Sequence, residues 1–303
     1  MSETISARRV AFDEPEISSS PSEAPDDLAI DVSRETPSLP RPDEPRILVV
    51  ANQKGGVGKT TTAVNVAAGL AMGGLRVLVI DMDPQGNAST ALGAVHDEGV
   101  QGTYEVLVDG SPIIDAVQRC PDVPGLWVLP ATIDLAGAEV GLVATVSRET
   151  RLRSALATFF DRYYVDYVLI DCPPSLGLLT LNALVGAKEI MIPIQCEYYA
   201  LEGVTQLLKT INLVKGRLND SLTLTTVILT MFDGRTNLSA QVADEVRKHF
   251  AREVLETVIP RSVRIAEAPS YGQTVLSYQL ASVGAQQYLK AAQEIAARGV
   301  QQQ

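Results

Sequence analysis

The chain has 303 residues, 46% of them hydrophobic, and a net charge of −11; it is long enough for one large α/β domain or two small ones and too apolar for a wholly disordered chain. No apolar run reaches the ~18 residues of a spanning helix and the N-terminus lacks an apolar secretory stretch, so a cytoplasmic protein is expected. Three scattered cysteines (Cys120, Cys172, Cys196) without C-x-x-C spacing read as reduced thiols, and two histidines leave little for a histidine metal site.

Residues 1–45 hold 11 acids, 4 bases and 7 of the 17 prolines. Such a segment buries too little apolar surface to offset its ordering entropy, so disorder is expected, as a solvated tail or as an arm that docks a polar partner. From Arg46 the pattern changes to short apolar runs alternating with helical stretches. "RILVVA" (46–51) is continuous and β-branched, like a strand buried on both faces. "TTTAVNVAAGLAMGG" (60–74) has helical period and stops at two glycines. "RVLVID" (76–81), "LWVLPA" (126–131), "DYVLID" (166–171), "EIMIPI" (189–194), "LTLTTVILT" (222–230) and "VLETVIP" (254–260) are further strands. Helices are expected over 151–160, 175–186, 202–217, 238–250 and 285–298. This alternation predicts a single α/β domain over 46–303, a mostly parallel twisted sheet with helices on both faces.

The loop after the first strand, K-G-G-V-G-K-T from Lys54 to Thr60, departs from the strict G-x-x-x-x-G-K-[ST] pattern, because Gln53 stands where its first glycine belongs. The physics is still met. Gly55, Gly56 and Gly58 let backbone N–H groups turn inward beside Val57, and a helix begins at Thr60 and Thr61, so a phosphate fits the nest and the helix N-terminus. Lys59 would reach the β and γ phosphates and the Thr60 hydroxyl would hold Mg²⁺. Asp81, Asp83 and Asp171 stand at or just past the C-terminal ends of strands, the edge where open parallel sheets bind ligands. Acids there suit Mg²⁺, which takes one or two carboxylates plus waters and phosphate oxygens.

KGGVGKTT, DMDPQGN (81–87) and DCPPSLGLLTLNAL (171–184) resemble the deviant Walker A ATPases, P-loop proteins with an additional lysine at the loop's start. QCEYYALEG (195–203), TMFDGRTNLSAQV (230–242) and VIPRSVRIAEAPSYG (258–272) narrow the resemblance to the ParA/Soj chromosome-partitioning branch, over about residues 46–298. The resemblance implies a slow ATPase whose cofactors are ATP or ADP and Mg²⁺. Lys54 matches the lysine that crosses a homodimer interface to the partner's ATP, and Lys59 the P-loop lysine. Asp83 matches the acid that positions the hydrolytic water, and Asp171 the Walker B acid acting on Mg²⁺ through water. Pro260 and Ser262 match positions flanking adenine, although the second is commonly Asn in the family.

The resemblance also implies an ATP-dependent dimer on non-specific double-stranded DNA, hydrolysis stimulated by a ParB-type partner, and a place on the nucleoid. Residues 203–264 carry 9 bases against 6 acids, a local excess that could meet phosphates. Arg235 and Arg264 match DNA-contacting arginines of the family; Arg261, Lys248 and Lys209 are further candidates. Several readings stay open on sequence. They are a ParA-like ATPase positioning another cargo, a MinD-type membrane-site selector, an iron-protein-like reductase and a metabolic ligase on the same loop. The Ala-rich C-terminus, with only Lys290 and Arg298 as bases after residue 280, makes a poor membrane helix.

Overall fold

A computed structural model of the chain describes residues 38–301 except 199 and 201, together with Val10–Ala11. Eight strands form one sheet: β1 (Arg46–Val50), β2 (Val77–Asp81), β3 (Gln118–Arg119), β4 (Leu126–Leu129), β5 (Tyr167–Asp171), β6 (Glu189–Gln195), β7 (Thr223–Phe232) and β8 (Val254–Pro260). Their order is β8-β7-β6-β1-β5-β2-β4-β3. Every pair is parallel except the edge pair β3–β4. The seven strands expected from sequence are all present. The two-residue edge strand β3 was not foreseen, since Gln118–Arg119 carries no apolar run to mark it.

The chain winds from β1 outward to β4, returns to β5 beside β1, and then moves to the other side through β6, β7 and β8. That reversal next to β1 opens a crevice at the C-terminal strand ends. Alternation within β1 shows how both faces are filled. Ile47 and Val49 join one core, with Leu152, Leu156, Leu179, Ala183, Leu207 and Val246 from the helices on that side. Leu48 and Val50 join the other, with Val64, Ala67 and Leu70 of the helix Lys59–Met72 and Tyr288, Ala292 and Ile295 of the helix Val283–Gln301.

The expected disorder of 1–45 falls largely outside the described residues. Two parts of that segment are described. Val10–Ala11 pairs in parallel with Tyr163–Tyr164. Leu39, 9% exposed, packs on Gly73 and donates its N–H to the Gly73 carbonyl at 2.9 Å. A side chain at 73 would collide with Leu39. The packed part therefore begins before Arg46, because one leucine among prolines finds a glycine-lined slot that composition does not reveal.

At the N-terminal end of β1, Arg46 ties the first strand to the last helix. Its guanidinium meets both Glu189 oxygens at 2.7 and 2.6 Å, the Tyr167 hydroxyl at 3.1 Å and the Ile295 carbonyl at 2.8 Å. Both charged side chains are nearly buried, at 9% and 14% exposure. Removing one partner leaves the other charge stranded. Arg46→Met is expected to cost about 3–5 kcal/mol in urea unfolding; a loss below about 1 kcal/mol would show that the pair adds nothing.

Candidate active site

Strand register assembles the site. Val50 of β1 and Asp81 of β2 both stand opposite Asp171 of β5. The glycine loop that follows β1 therefore rises beside two carboxylates. The loop is pinned from below: Ala51 N–H donates to the Met191 carbonyl, Asn52 Nδ2 to the Pro193 carbonyl at 2.8 Å, and Thr230 Oγ1 to the Val57 carbonyl at 2.8 Å. Gly58 caps the helix with φ +85°, a conformation that other residues adopt only under strain. Gly55 and Gly56 at the tip are exposed, and Thr60 and Thr61 open the helix with partial exposure.

The two lysines point to different surroundings. Lys59 is 7% exposed, and its ammonium lies 3.5 Å from the Lys54 carbonyl, curled back toward the loop. Burial lowers its pKa, while the nearby Asp171, Asp83 and Cys172 act in the opposite sense. Lys54 keeps its side chain 36% exposed, with Nζ 3.6 Å from Glu197. Glu197 follows β6 and is itself held by Gln195 Nε2 at 2.5 Å and Arg261 at 3.4 Å. One carboxylate thus joins the start of the phosphate loop to the loop after β8. QCEYYALEG marked this segment only as a family motif; nothing in its spacing gives Glu197 that contact.

The three aspartates divide. Asp81, expected among the nucleotide ligands, is fully buried and committed to its own chain. One oxygen accepts from Ser89 N–H and Ser89 Oγ at 2.8 and 2.7 Å, and the other from Asp83 N–H at 3.1 Å. These hydrogen bonds shape the turn that carries Asp83. Burial raises its pKa to about 6 against those hydrogen bonds. Asp83 lies in that turn, 9% exposed, with one oxygen accepting from Gln85 N–H at 3.0 Å. Asp171 is also fully buried, yet neither of its oxygens has a hydrogen-bond partner. Burial first, then the Asp81 charge, pushes its pKa well above the usual carboxylate range; the Thr60 side chain and Lys59 pull the other way.

An orphaned buried carboxylate is costly unless a ligand completes it. Among the described residues no group of three or more His, Cys, Asp or Glu side chains could hold a metal ion alone. The unpartnered Asp171 carboxylate fits Mg²⁺, which takes much of its shell from waters and phosphates. Pro260, Arg261 and Ser262 line a pocket of about 180 Å³ that also touches Gly58, Thr61 and Met231. This places the expected base-flanking residues beside the phosphate loop. Met231 has φ 51°, strained for a side chain of its size, at the rim of that pocket.

The basic candidates are exposed, but each arginine has a local acid. Arg235, 88% exposed, meets Asp233 with two hydrogen bonds at 2.9 and 2.7 Å. Arg264 pairs with Glu267 at 2.8 Å and Arg261 with Glu197. Lys209 and Lys248 are exposed on two separate helices.

A family model described as an AAA domain matches residues 45–224. The sporulation initiation inhibitor protein Soj of Bacillus subtilis is 53% identical over 254 residues, 84% of this chain and 99% of that protein. The chromosome partitioning protein ParA of Caulobacter vibrioides is 51% identical over 253 residues, covering 84% and 94%. The chain belongs to the ParA/Soj family of chromosome-partitioning ATPases. Among solved structures, a Mycobacterium smegmatis protein described as cobyrinic acid a,c-diamide synthase, with bound ADP and magnesium, has a TM-score of 0.73 at 38% identity, covering 85% and 96%. The cell division ATPase MinD of Pyrococcus furiosus reaches 0.68 at 26%, covering 84% and 99%. The ParA/Soj core is thus a P-loop ATPase fold, and no described helix is long and apolar enough to cross a membrane.

Asp81 and Asp171 have raised pKa values, so protonation favours the folded, nucleotide-free protein. Their contribution is complete below about pH 4, the unfolded value, and is lost as pH rises through the folded values. Asp171→Asn should therefore have a higher urea midpoint than the wild type at neutral pH and a shallower fall with pH. A lower midpoint at every pH would contradict the orphaned-charge assignment.

Proposed function

We propose that this ATPase partitions chromosomal or plasmid DNA by closing a homodimer on ATP, binding DNA non-specifically as the dimer, and releasing both on hydrolysis. The observation that carries it is the separation of the two lysines. Lys59 turns inward, where it would hold the phosphates of its own subunit. Lys54, half-exposed on Glu197, is free to leave that weak surface pair for phosphates brought by a second subunit.

The remaining residues take roles that fit their places. The Gly55–Thr61 backbone and Lys59 bind the phosphates. Thr60, Asp171 and Asp83 would hold Mg²⁺, which would supply neutralisation of the phosphate charge. Asp83, at the mouth of the crevice, orients the attacking water. Pro260 and Ser262 frame the adenine. Basal turnover is slow until the partner's Lys54 and a ParB-type protein complete the site.

DNA contact falls to Arg235, Arg264, Arg261, Lys248 and Lys209. Phosphates must compete with Asp233, Glu267 and Glu197 for the three arginines. One subunit then binds weakly, and a dimer doubles the contacts. Nucleoid association in the cytoplasm follows from this chemistry. A ParA-like ATPase that positions another cargo would share the switch but not this surface, and a small-molecule ligase on the same core would show no DNA response.

DNA binding measured without nucleotide, with ADP and with ATP, across a salt series, tests the reading. Binding should need ATP, ignore sequence and weaken with a log–log salt slope of about −0.9 per phosphate contacted; equal binding in all three states would overturn it. Asp83→Ala should keep ATP affinity and ATP-dependent DNA binding while kcat falls about 10²–10⁴-fold. Wild-type turnover in that variant would remove Asp83 from the mechanism.

A further inference from the structure

β4 ends on the same edge of the sheet as β1, because both run parallel with β5 and β2 between them. The chain after β4 makes a 3₁₀ turn, Ile133–Gly137, and a short helix, Ala138–Val143. Leu135, Ala138 and Leu142 turn inward and are fully buried. An ordinary surface helix is polar on its other side. Here Ile133, Ala136, Val140 and Val143 recur at intervals of three or four residues on the exposed side, and Val146 follows them. The four large side chains among these are 61–86% exposed. A segment apolar on both sides is one that something else covers.

Charge narrows what covers it. Residues 131–147 hold two acids, Asp134 and Glu139, and no base. A helix on a membrane surface carries lysines or arginines on its polar side, and nucleic acid needs basic side chains to meet its phosphates. This face suits protein. Position then selects the protein. β1 and β4 are three strand spacings apart, roughly 14 Å, so the stripe stands near the loop that carries Lys54. Between them lies the loop after Asp171, where Leu176 is also exposed. A side chain on Gly177, at the head of the helix Leu178–Gly186, would strike Glu139, so the apolar face adjoins that loop. A second subunit that brings phosphates to Lys54 must approach this same edge. A specific interface takes about 800 Å² from each partner, a patch roughly 28 Å across. One exposed lysine fills little of it, and the stripe lies within its reach.

We propose that a second copy of this chain covers Ile133, Val140 and Val143 when the ATP-bound dimer closes, an inference that rests on the homodimer reading above. Apolar burial on this face supplies the hold between subunits, and Lys54 supplies the dependence on nucleotide. The contact of Glu139 with Gly177 sets the joined faces against the loop that leads from Asp171.

Asp83→Ala with ATP, in which hydrolysis is blocked, gives the reference dimer, and sedimentation equilibrium reads its dissociation constant. Adding Val140→Asp and Val143→Asp should weaken that dimer about 30-fold or more, the effect of losing one interface hot spot. ATP affinity, read with a fluorescent analogue at concentrations where the protein is monomeric, should not change. Val143→Leu on the same background should keep the dimer. A dimer that survives both aspartates unweakened overturns this inference alone; no dimer in Asp83→Ala itself overturns the homodimer reading with it. A second measurement leaves the stripe intact. An environment-sensitive fluorophore on Val146→Cys, at its margin, reports the face, since the three native cysteines are buried. Its emission should shift to the blue on adding ATP and revert on dilution below the dissociation constant. No shift, a shift that survives dilution, or one that needs a different protein rather than ATP overturns the proposal.

Discussion

Asp81 and Asp171 end neighbouring parallel strands in register, both fully buried. Two carboxylates cannot share such a place as equal charges without large cost. The fold resolves this by treating them differently. Ser89 and the Asp83 backbone satisfy Asp81 from within, which also fixes the turn that presents Asp83. Asp171 is left without a partner beside Thr60 and Lys59. Its buried charge is the uncompensated one of the pair, and under the proposed function a Mg²⁺-bound nucleotide would compensate it.

Much of this was legible in the sequence because it rests on local rules. Continuous β-branched runs marked the buried strands, and K-G-G-V-G-K-T after the first of them marked the phosphate loop. Aspartates at strand ends marked the crevice once the sheet was known to be parallel. What stayed hidden depends on side-chain direction or distant contacts. Nothing in DMDPQGN tells that Asp81 is satisfied within its own chain; its partner Ser89 stands eight residues on. Glu197 meets Lys54 and Arg261 only because β1, β6 and β8 end on one edge. Leu39 joins the core through a slot at Gly73, a contact that the composition of residues 1–45 does not reveal.

The charge distribution carries a related lesson. Counting bases in 203–264 suggested a weakly basic face, yet each candidate arginine there has its own acid in the structure. A polyanion meeting such a surface would have to exchange partners with those acids, which is why the proposed DNA contact is assigned to a dimer. Glu197 connects this surface to the nucleotide site. It pairs with Arg261 on one side and with Lys54 on the other, so the proposed departure of Lys54 toward a second subunit would change the setting of Arg261.

The central claim is that Lys54 acts on the phosphates of the partner subunit. Mixing two inactive variants tests it most directly: Lys54→Gln, which retains Asp83, and Asp83→Ala, which retains Lys54. In a mixed dimer, one of the two sites has its own Asp83 and receives Lys54 from across the interface. Random mixing should restore on the order of a quarter of wild-type ATP turnover, since half the dimers are mixed and each has one complete site. Turnover no greater than the sum of the separate variants, with mixed dimers demonstrably formed, would mean that Lys54 serves its own subunit and would contradict the account.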